Sequence, residues 1–379
     1  MNGRDEQLDP VSILALLEQV PDPRIERSRL HSLSDIVLLT LIAMIAGADD
    51  WVSVQQYGEM NKTWLKEFLP LPHGIPSHDT LGRVFRLIDS TELAARLGAW
   101  LERLHGAPKD DQICIDGKAI RRALKASGSP VHVVNAWATR ARMALGQVEV
   151  DSKENEIVAI PKLLGLLQLK GQLVSIDAIG CQREIAGIIT EKGGDYLLRV
   201  KANQPKLHEE MMEFFLDAER DGFKSGTWHP IEDTDGDHGR IEIRRTWACD
   251  ELSWFADHAR WAGLKSVVVQ RNTRESRGKT SDSLNIYISS RPAKEVEALA
   301  RAARGHWAVE NSLHWVLDMA FDEDWSRVRS DHAALNLAAL RRVVVSVVRK
   351  NKTLKCGAAT KRKCAGWNRD YLTQVLLGR

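Results

Sequence analysis

Three acids stand where acids are chemically costly: Asp116 in IDGKAIR, Asp177 in VSIDAIGCQ and Glu310 in RGHWAVENSLHW. The first two close short apolar runs of strand type, and the third lies in a helical pattern. An ionised carboxylate leaving water needs a partner, and a divalent cation is the partner that can hold several at once. Acids placed this way point to a magnesium site. Asp116 is followed by Gly117 and so also fits a plain turn, whereas Asp177 is followed by Ala178 and has no such explanation. His306, Glu310 and His314 share one helical face at i, i+4 and i+8. His and Glu at that spacing are also zinc ligands, but HExxH is absent, which favours magnesium at Glu310 and places His306 near a substrate phosphate. Trp307 and Trp315 suggest that this face is packed. Lys118 and Arg121 after Asp116, and Lys201 with Asn203 beyond a later strand, are candidates for phosphate contact.

The elements that must position these acids follow from periodicity. Residues 1–105 read as an all-helical domain, with helix patterns at Val11 to Leu17, Asp35 to Ala46, Val52 to Tyr57 and Thr63 to Phe68, then the breaker PLPHGIP. In SHDTLGRVFRLID, Ser77 is the expected cap and Leu81, Val84, Phe85 and Ile88 form one apolar stripe. Arg83 and Arg86 then face away from the stripe, either simply into water, as on any amphipathic helix, or toward DNA, as on a recognition helix. Residues 106–203 switch to strands at 112–117, 131–139 and 144–150, followed by alternating helix and strand up to Val200. That order predicts an α/β fold, an RNase H-like mixed sheet flanked by helices. In such a sheet the strands ending at Asp116 and Asp177 are neighbours. Residues 204–292 read as a β-rich insertion, 293–350 as the helical second part of the core with one long helix from Lys294 to Met319, and 351–379 as a basic tail.

Composition excludes several classes. With 379 residues, 44% hydrophobic and 27% charged, the chain is neither disordered nor fibrous. Its longest apolar run, Ile36 to Ala48, is short for a bilayer span, and MNGRDEQLDP does not resemble a secretory leader. A cytoplasmic, nucleoid-associated protein with no membrane partner is expected. The five cysteines are scattered and form no CxxC pair, so reduced thiols are expected. The net charge of +2 hides an asymmetry: 11 of the 53 Lys and Arg lie from Arg341 onward against one acid, Asp370. The remainder carries 42 basic and 50 acidic residues. Lys361, Arg362 and Lys363 are therefore expected to meet a polyanion.

Together, IDGKAIR, NEIVAIPKLLGLLQLKG leading into VSIDAIGCQREIA, KANQPKLHE and RGHWAVENSLHWVLDMAFDEDWSRVR closely resemble bacterial insertion-sequence transposases of the H-repeat-associated, or Rhs-element-associated, type. The resemblance runs from about VPDPR to the basic end. It implies a DDE-class enzyme acting on double-stranded DNA at the ends of its own element, as a homodimer, with Asp116, Asp177 and Glu310 as catalytic metal ligands. It also implies two Mg²⁺ ions, replaceable by Mn²⁺, held about 4 Å apart to cleave and then join strands. The broader superfamily places Tyr, Arg and Lys around the glutamate; here those positions are Ala303, His306 and Leu317. Glu323 and Asp324 are rivals for the third ligand. The alternatives are an RNase H-like nuclease that cuts without joining and a catalytically silent DNA-binding descendant.

Overall fold

The computed structural model describes residues 10–125, 127–150, 156–237, 240–276, 278–329 and 332–378; most of MNGRDEQLDP lies outside them. The fold is mixed α/β and divides into two compact units. Unit 1 comprises 1–108, 117–153 and 310–379; unit 2 comprises 109–116 and 154–309. The chain passes from one to the other at Asp116–Gly117 and again at Val309–Glu310.

Unit 1 begins with helices α1 (Pro10–Leu17), α2 (Leu33–Ile45), α3 (Trp51–Leu65), α4 (His78–Leu87) and α5 (Ser90–His105). Side chains at the entries to α2, α3, α4 and α5 accept the first free amides: Ser32 from Asp35, Asp50 from Ser53, Ser77 from Thr80, and Asp89 from Thr91 and Glu92. The two short segments expected between Val52 and Phe68 are one helix, α3. The stretch Glu26–Ile45, which ends in α2, is by length and composition alone long and apolar enough to span a membrane. Every residue of α2 within it is buried, as in the core helix of a packed protein.

Strands β2 (Pro130–Ala138) and β3 (Met143–Val150) pair antiparallel, and β2 adjoins the part of β1 (Gln112–Leu124) that belongs to unit 1. Ile120, Ala123, Val131 and Val133 pack on Ala334, Leu335 and Ala338 of α11 (Ala333–Lys350). Helix α11 is buried from Ala333 through Val348, and the Asn336 amide donates to the Phe85 and Ile88 carbonyls at the end of α4, each at 2.8 Å. The expected basic tail is folded: α12 (Ala358–Trp367) and α13 (Arg369–Leu376) bury Ala365, Leu372 and Val375.

Unit 2 is built on a sheet in the order β1-β4-β5-β9-β8-β7-β6. The first residues of β1, β4 (Leu173–Ile176) and β5 (Asp195–Val200) run parallel, linked by α6 (Glu156–Leu166) and α7 (Arg183–Glu191). The segment read as an insertion opens with helix α8 (Pro205–Arg220). It continues as β6 (Trp228–Asp237), β7 (Arg240–Cys249), β8 (Ser266–Ser276) and β9 (Lys279–Ser289). It forms no separate sheet, because β9 pairs with β5 in the register Leu197↔Ser289 to Val200↔Ile286. Alternation along these strands serves two faces. Ala248, Val268 and Tyr287 pack with Leu299, Ala302 and Ala303 of α9 (Val296–His306), while Trp247 and Val269 pack with Phe215 of α8. The segment expected as one long helix from Lys294 to Met319 is helical almost throughout but irregular: α9 ends at His306, Trp307 interrupts it, a π-helical turn occupies Glu310–His314, and α10 spans Trp315–Phe321.

Candidate metal centre

In unit 2 the backbone alone aligns two of the acids. The β1·β4 register runs from Gln112↔Leu173 to Ile115↔Ile176, so Asp116 and Asp177 are the next residues on adjacent parallel strands. Ile113, Cys114 and Ile115 and their partners Val174, Ser175 and Ile176 are buried. Only β4 ends there: β1 runs on through Asp116 to Leu124, past its expected end at residue 117, while the chain turns after Asp177 in a short 3-10 segment, Ala178–Gly180.

Two cations meet the Asp177 carboxylate. Arg199 Nη1 lies 3.4 Å from Oδ1 and Lys201 Nζ 3.2 Å from Oδ2; the two stand two residues apart, on one face of the extended chain. Burial pushes the Asp177 carboxyl up, but the Ala178 amide, Lys201 and Arg199 outweigh it and hold it below the usual carboxylate range. Arg199, which also donates to Asn285 Oδ1 on β9, was not among the residues expected from sequence. A strand arginine two before a candidate lysine was the signal available. Asn203 is not aimed at a phosphate: its amide donates to the Ala178 carbonyl. Gln204 likewise donates to the Cys181 carbonyl at 2.9 Å, so the pair fastens the turn behind Asp177.

Behind the acids a polar ladder ties the strands to α9. Gln112 Nε2 donates to Ser175 Oγ and to the Ala302 carbonyl, both at 2.7 Å, and Ser175 Oγ lies 3.1 Å from His306 Nδ1. Gly305 permits this approach, since a Cβ there would sit 2.2 Å from Gln112 Oε1. Burial drives the His306 pKa down to about 4, the Asp177 charge opposing only in part. The imidazole is therefore neutral near pH 7 and packed between helix and strand, which corrects its expected role as a phosphate contact. Ala303 and Leu317, at the superfamily's Tyr and Lys positions, are core residues at 2% and 0% exposure.

In unit 1, Glu310 opens the π-helical turn and is exposed, while His314 is buried with Nδ1 3.3 Å from Glu310 Oε2. The hydrogen bond from His314 is the largest influence on Glu310 and lowers its pKa. Burial opposes it, and the charges of His314 and Lys118 add to it. Trp307 and Trp315, expected to be packed, are each 59% exposed. Lys118 is no free phosphate contact: Nζ lies 2.8 Å from both Asp318 oxygens and 3.7 Å from Asp324. Arg121 is exposed and pairs with Asp324 at 3.1 Å. Glu323 is fully buried against Arg342 at 2.9 Å, which removes it as a rival metal ligand, and Asp324 is spoken for by Lys118 and Arg121.

The basic cluster divides. Lys361 is buried with Nζ donating to the Val348 and Asn351 carbonyls. Arg362 is buried over the Phe321 ring, donating to the Met44 carbonyl and to Asp49 at 2.6 Å. Neither can meet a polyanion, because each satisfies groups inside the fold. Lys363 is exposed. Arg83 and Arg86 are exposed on α4, whose stripe of Leu81, Val84, Phe85 and Ile88 is buried as expected.

Two acids next to each other on parallel strands, a buried helical core and an acid on a π-turn are the setting in which the family comparison falls. The chain belongs to the DDE transposases: residues 82–347 match the transposase DDE domain, and residues 14–101 match the domain described as DDE_Tnp_1-associated. Among its relatives is the "Putative transposase YncI" of Escherichia coli O157:H7, 38% identical over 96% of this chain and 94% of that protein. The "H repeat-associated putative transposase YhhI" of Escherichia coli (strain K12) is 36% identical over 95% and 96%. A piggyBac transposase synaptic complex with hairpin DNA superposes with a TM-score of 0.44, at 8% identity, over 97% of this chain and 82% of that one.

Proposed function

We propose that this DDE-family protein is a metal-dependent DNA transposase with an RNase H-like core, cutting at the ends of its element and joining them to target DNA. Asp116, Asp177 and Glu310 would hold two Mg²⁺ ions, with Mn²⁺ able to replace them. The observation that carries this reading is the β1·β4 register, whose last partners, Ile115 and Ile176, are followed directly by Asp116 and Asp177 on the two adjacent strands. The donor set fits: carboxylate oxygens are the ligands hard dications take, and Asp177 and Glu310 are both held ionised and reachable, at 40% and 58% side-chain exposure. Bound ions would supply an activated nucleophile and neutralise charge on the leaving oxygen.

The protein's own residues do the rest. Arg199 and Lys201 keep Asp177 anionic and lie where a phosphate beside that carboxylate would be met. The Asn203 and Gln204 contacts keep the turn after Asp177 from drifting. In the first reaction, water adds to phosphorus at the element end and the 3′ oxygen leaves. In the second, that 3′-OH displaces a 3′ oxygen of target DNA, so one phosphodiester is made for one broken. Double-stranded DNA is the partner, and handling two ends suits a homodimer.

Purified protein with Mg²⁺ should cut DNA carrying the terminal inverted repeats and yield joined products. Asp177→Asn should bind that DNA as wild type does without cutting it. Equal cutting by the variant would overturn the site, and cutting that never yields joined products would identify a nuclease.

A further inference from the structure

We propose that Lys118 is a positioning residue for Glu310, its ammonium fastening the segment that follows Glu310 to strand β1 through Asp318 and Asp324. This rests on the reading that Glu310 holds a divalent ion.

The Lys118 side chain is only 8% exposed. An ammonium so far out of water persists only when paired, and here two carboxylates face it. Asp318 takes it with both oxygens at 2.8 Å, and Asp324 lies at 3.7 Å. These acids sit on either side of a chain reversal. Asp318 is on α10, which starts where the π-turn carrying Glu310 ends, whereas Asp324 follows Asp322, a non-glycine residue in the left-handed region at φ 49°. One cation thus holds both arms of the bend. Since the π-turn runs directly into α10, any slip of that helix carries Glu310 with it. Such turns are uncommon backbone forms and concentrate at functional sites.

The charges agree with this role. Lys118 and Arg121 answer Asp318 and Asp324, with Arg121 Nε 3.1 Å from Asp324, so the Glu310 charge is not the one they are committed to. Without Lys118, Asp318 and Asp324 would repel each other across the bend that follows the Glu310 turn, and the bend would open. Ligands to metals depend on such outer contacts, whose loss commonly costs about 10- to 100-fold in metal affinity or activity.

The test uses the full chain as wild type, Lys118→Arg, Lys118→Met and Lys118→Met with Asp318→Asn. The double variant removes a charge from both sides, so that it folds if the single one does not. Three quantities are read: the thermal melt, Mn²⁺ binding by calorimetry without DNA, and the Mg²⁺ concentration giving half-maximal cleavage of end DNA. Loss of the clamp should weaken Mn²⁺ binding and raise the Mg²⁺ requirement by about tenfold or more in the double variant, with DNA affinity unchanged and partial rescue by Lys118→Arg. A double variant that melts as a folded protein yet keeps the wild-type metal dependence overturns the proposal. A wild type that neither binds Mn²⁺ nor cuts DNA overturns the reading of the acids, and this inference with it. Metal dependence shifted only in proportion to the loss of folded protein also rejects a positioning role.

Discussion

The acids of unit 2 and those of unit 1 are held by different means. Asp116 and Asp177 take their places from strand register, a backbone property extending over four paired positions. Glu310 stands exposed on a helical turn and depends on side chains, His314 directly and Lys118 through its neighbours. Glu323 shows a third outcome, full burial against Arg342 with Arg341 at 4.0 Å. Sheet-end acids are therefore robust to change around them, and a helical acid is only as well placed as its clamps.

The largest effect should come from the buried pair. Arg342→Met leaves Glu323 without its principal partner, and breaking such a pair costs about 3–5 kcal/mol. Urea unfolding should show that loss; a wild-type midpoint would mean that Glu323 is not structural and reopen it as a ligand. Next comes placement. Asp177→Glu keeps the charge but moves it by one methylene, and a misplacement of about 1 Å costs on the order of a hundredfold in rate. Cleavage assays should find that drop with Mn²⁺ as well as Mg²⁺. Full activity would show that register does not set the position.

A smaller effect concerns pH. His306 is held neutral by burial, its pKa falling from 6.5 to about 4. Between these values the unfolded chain binds a proton that the folded one does not, so this contribution is complete above about 6.5 and is lost as pH falls through 4. One such group gives a slope of up to about 1.4 kcal/mol per pH unit. His306→Gln should flatten unfolding free energy against pH in that window, and an unchanged slope would place the titration elsewhere. The smallest effect separates exposed from buried bases. Lys363→Ala should reduce the salt dependence of DNA binding by about one ion with the melt unchanged, whereas Lys361→Ala should lower the melt and leave the salt slope alone.

Much of this was legible before any coordinates, for physical reasons. Apolar runs ending at Asp116 and Asp177 disclose two strands, and the intervening helical pattern makes them parallel neighbours, as the register bears out. The α4 stripe and its Ser77 cap were equally plain, because period and capping are local. What depends on distant partners was not. A Lys-Arg-Lys run reads the same whether its members meet water or, like Lys361 and Arg362, meet carbonyls inside the fold. The tryptophans beside Glu310 resemble core residues by type and proved exposed. The break between α9 and α10 leaves no mark in a sequence with helical propensity throughout, and Arg199 is singled out only by the carboxylate it reaches.

The interleaving of the two units has a genetic corollary. Asp116 closes one segment of unit 2 and Glu310 opens the last segment of unit 1, with the whole second piece of unit 2 encoded between them. A stop codon or frameshift anywhere along those roughly two hundred codons removes Glu310 from the proposed set of metal ligands. It also strips α11 from the helices it packs with. Damaged copies of this gene should therefore decay into products that are both inert and poorly folded, instead of persisting as intact DNA-binding remnants.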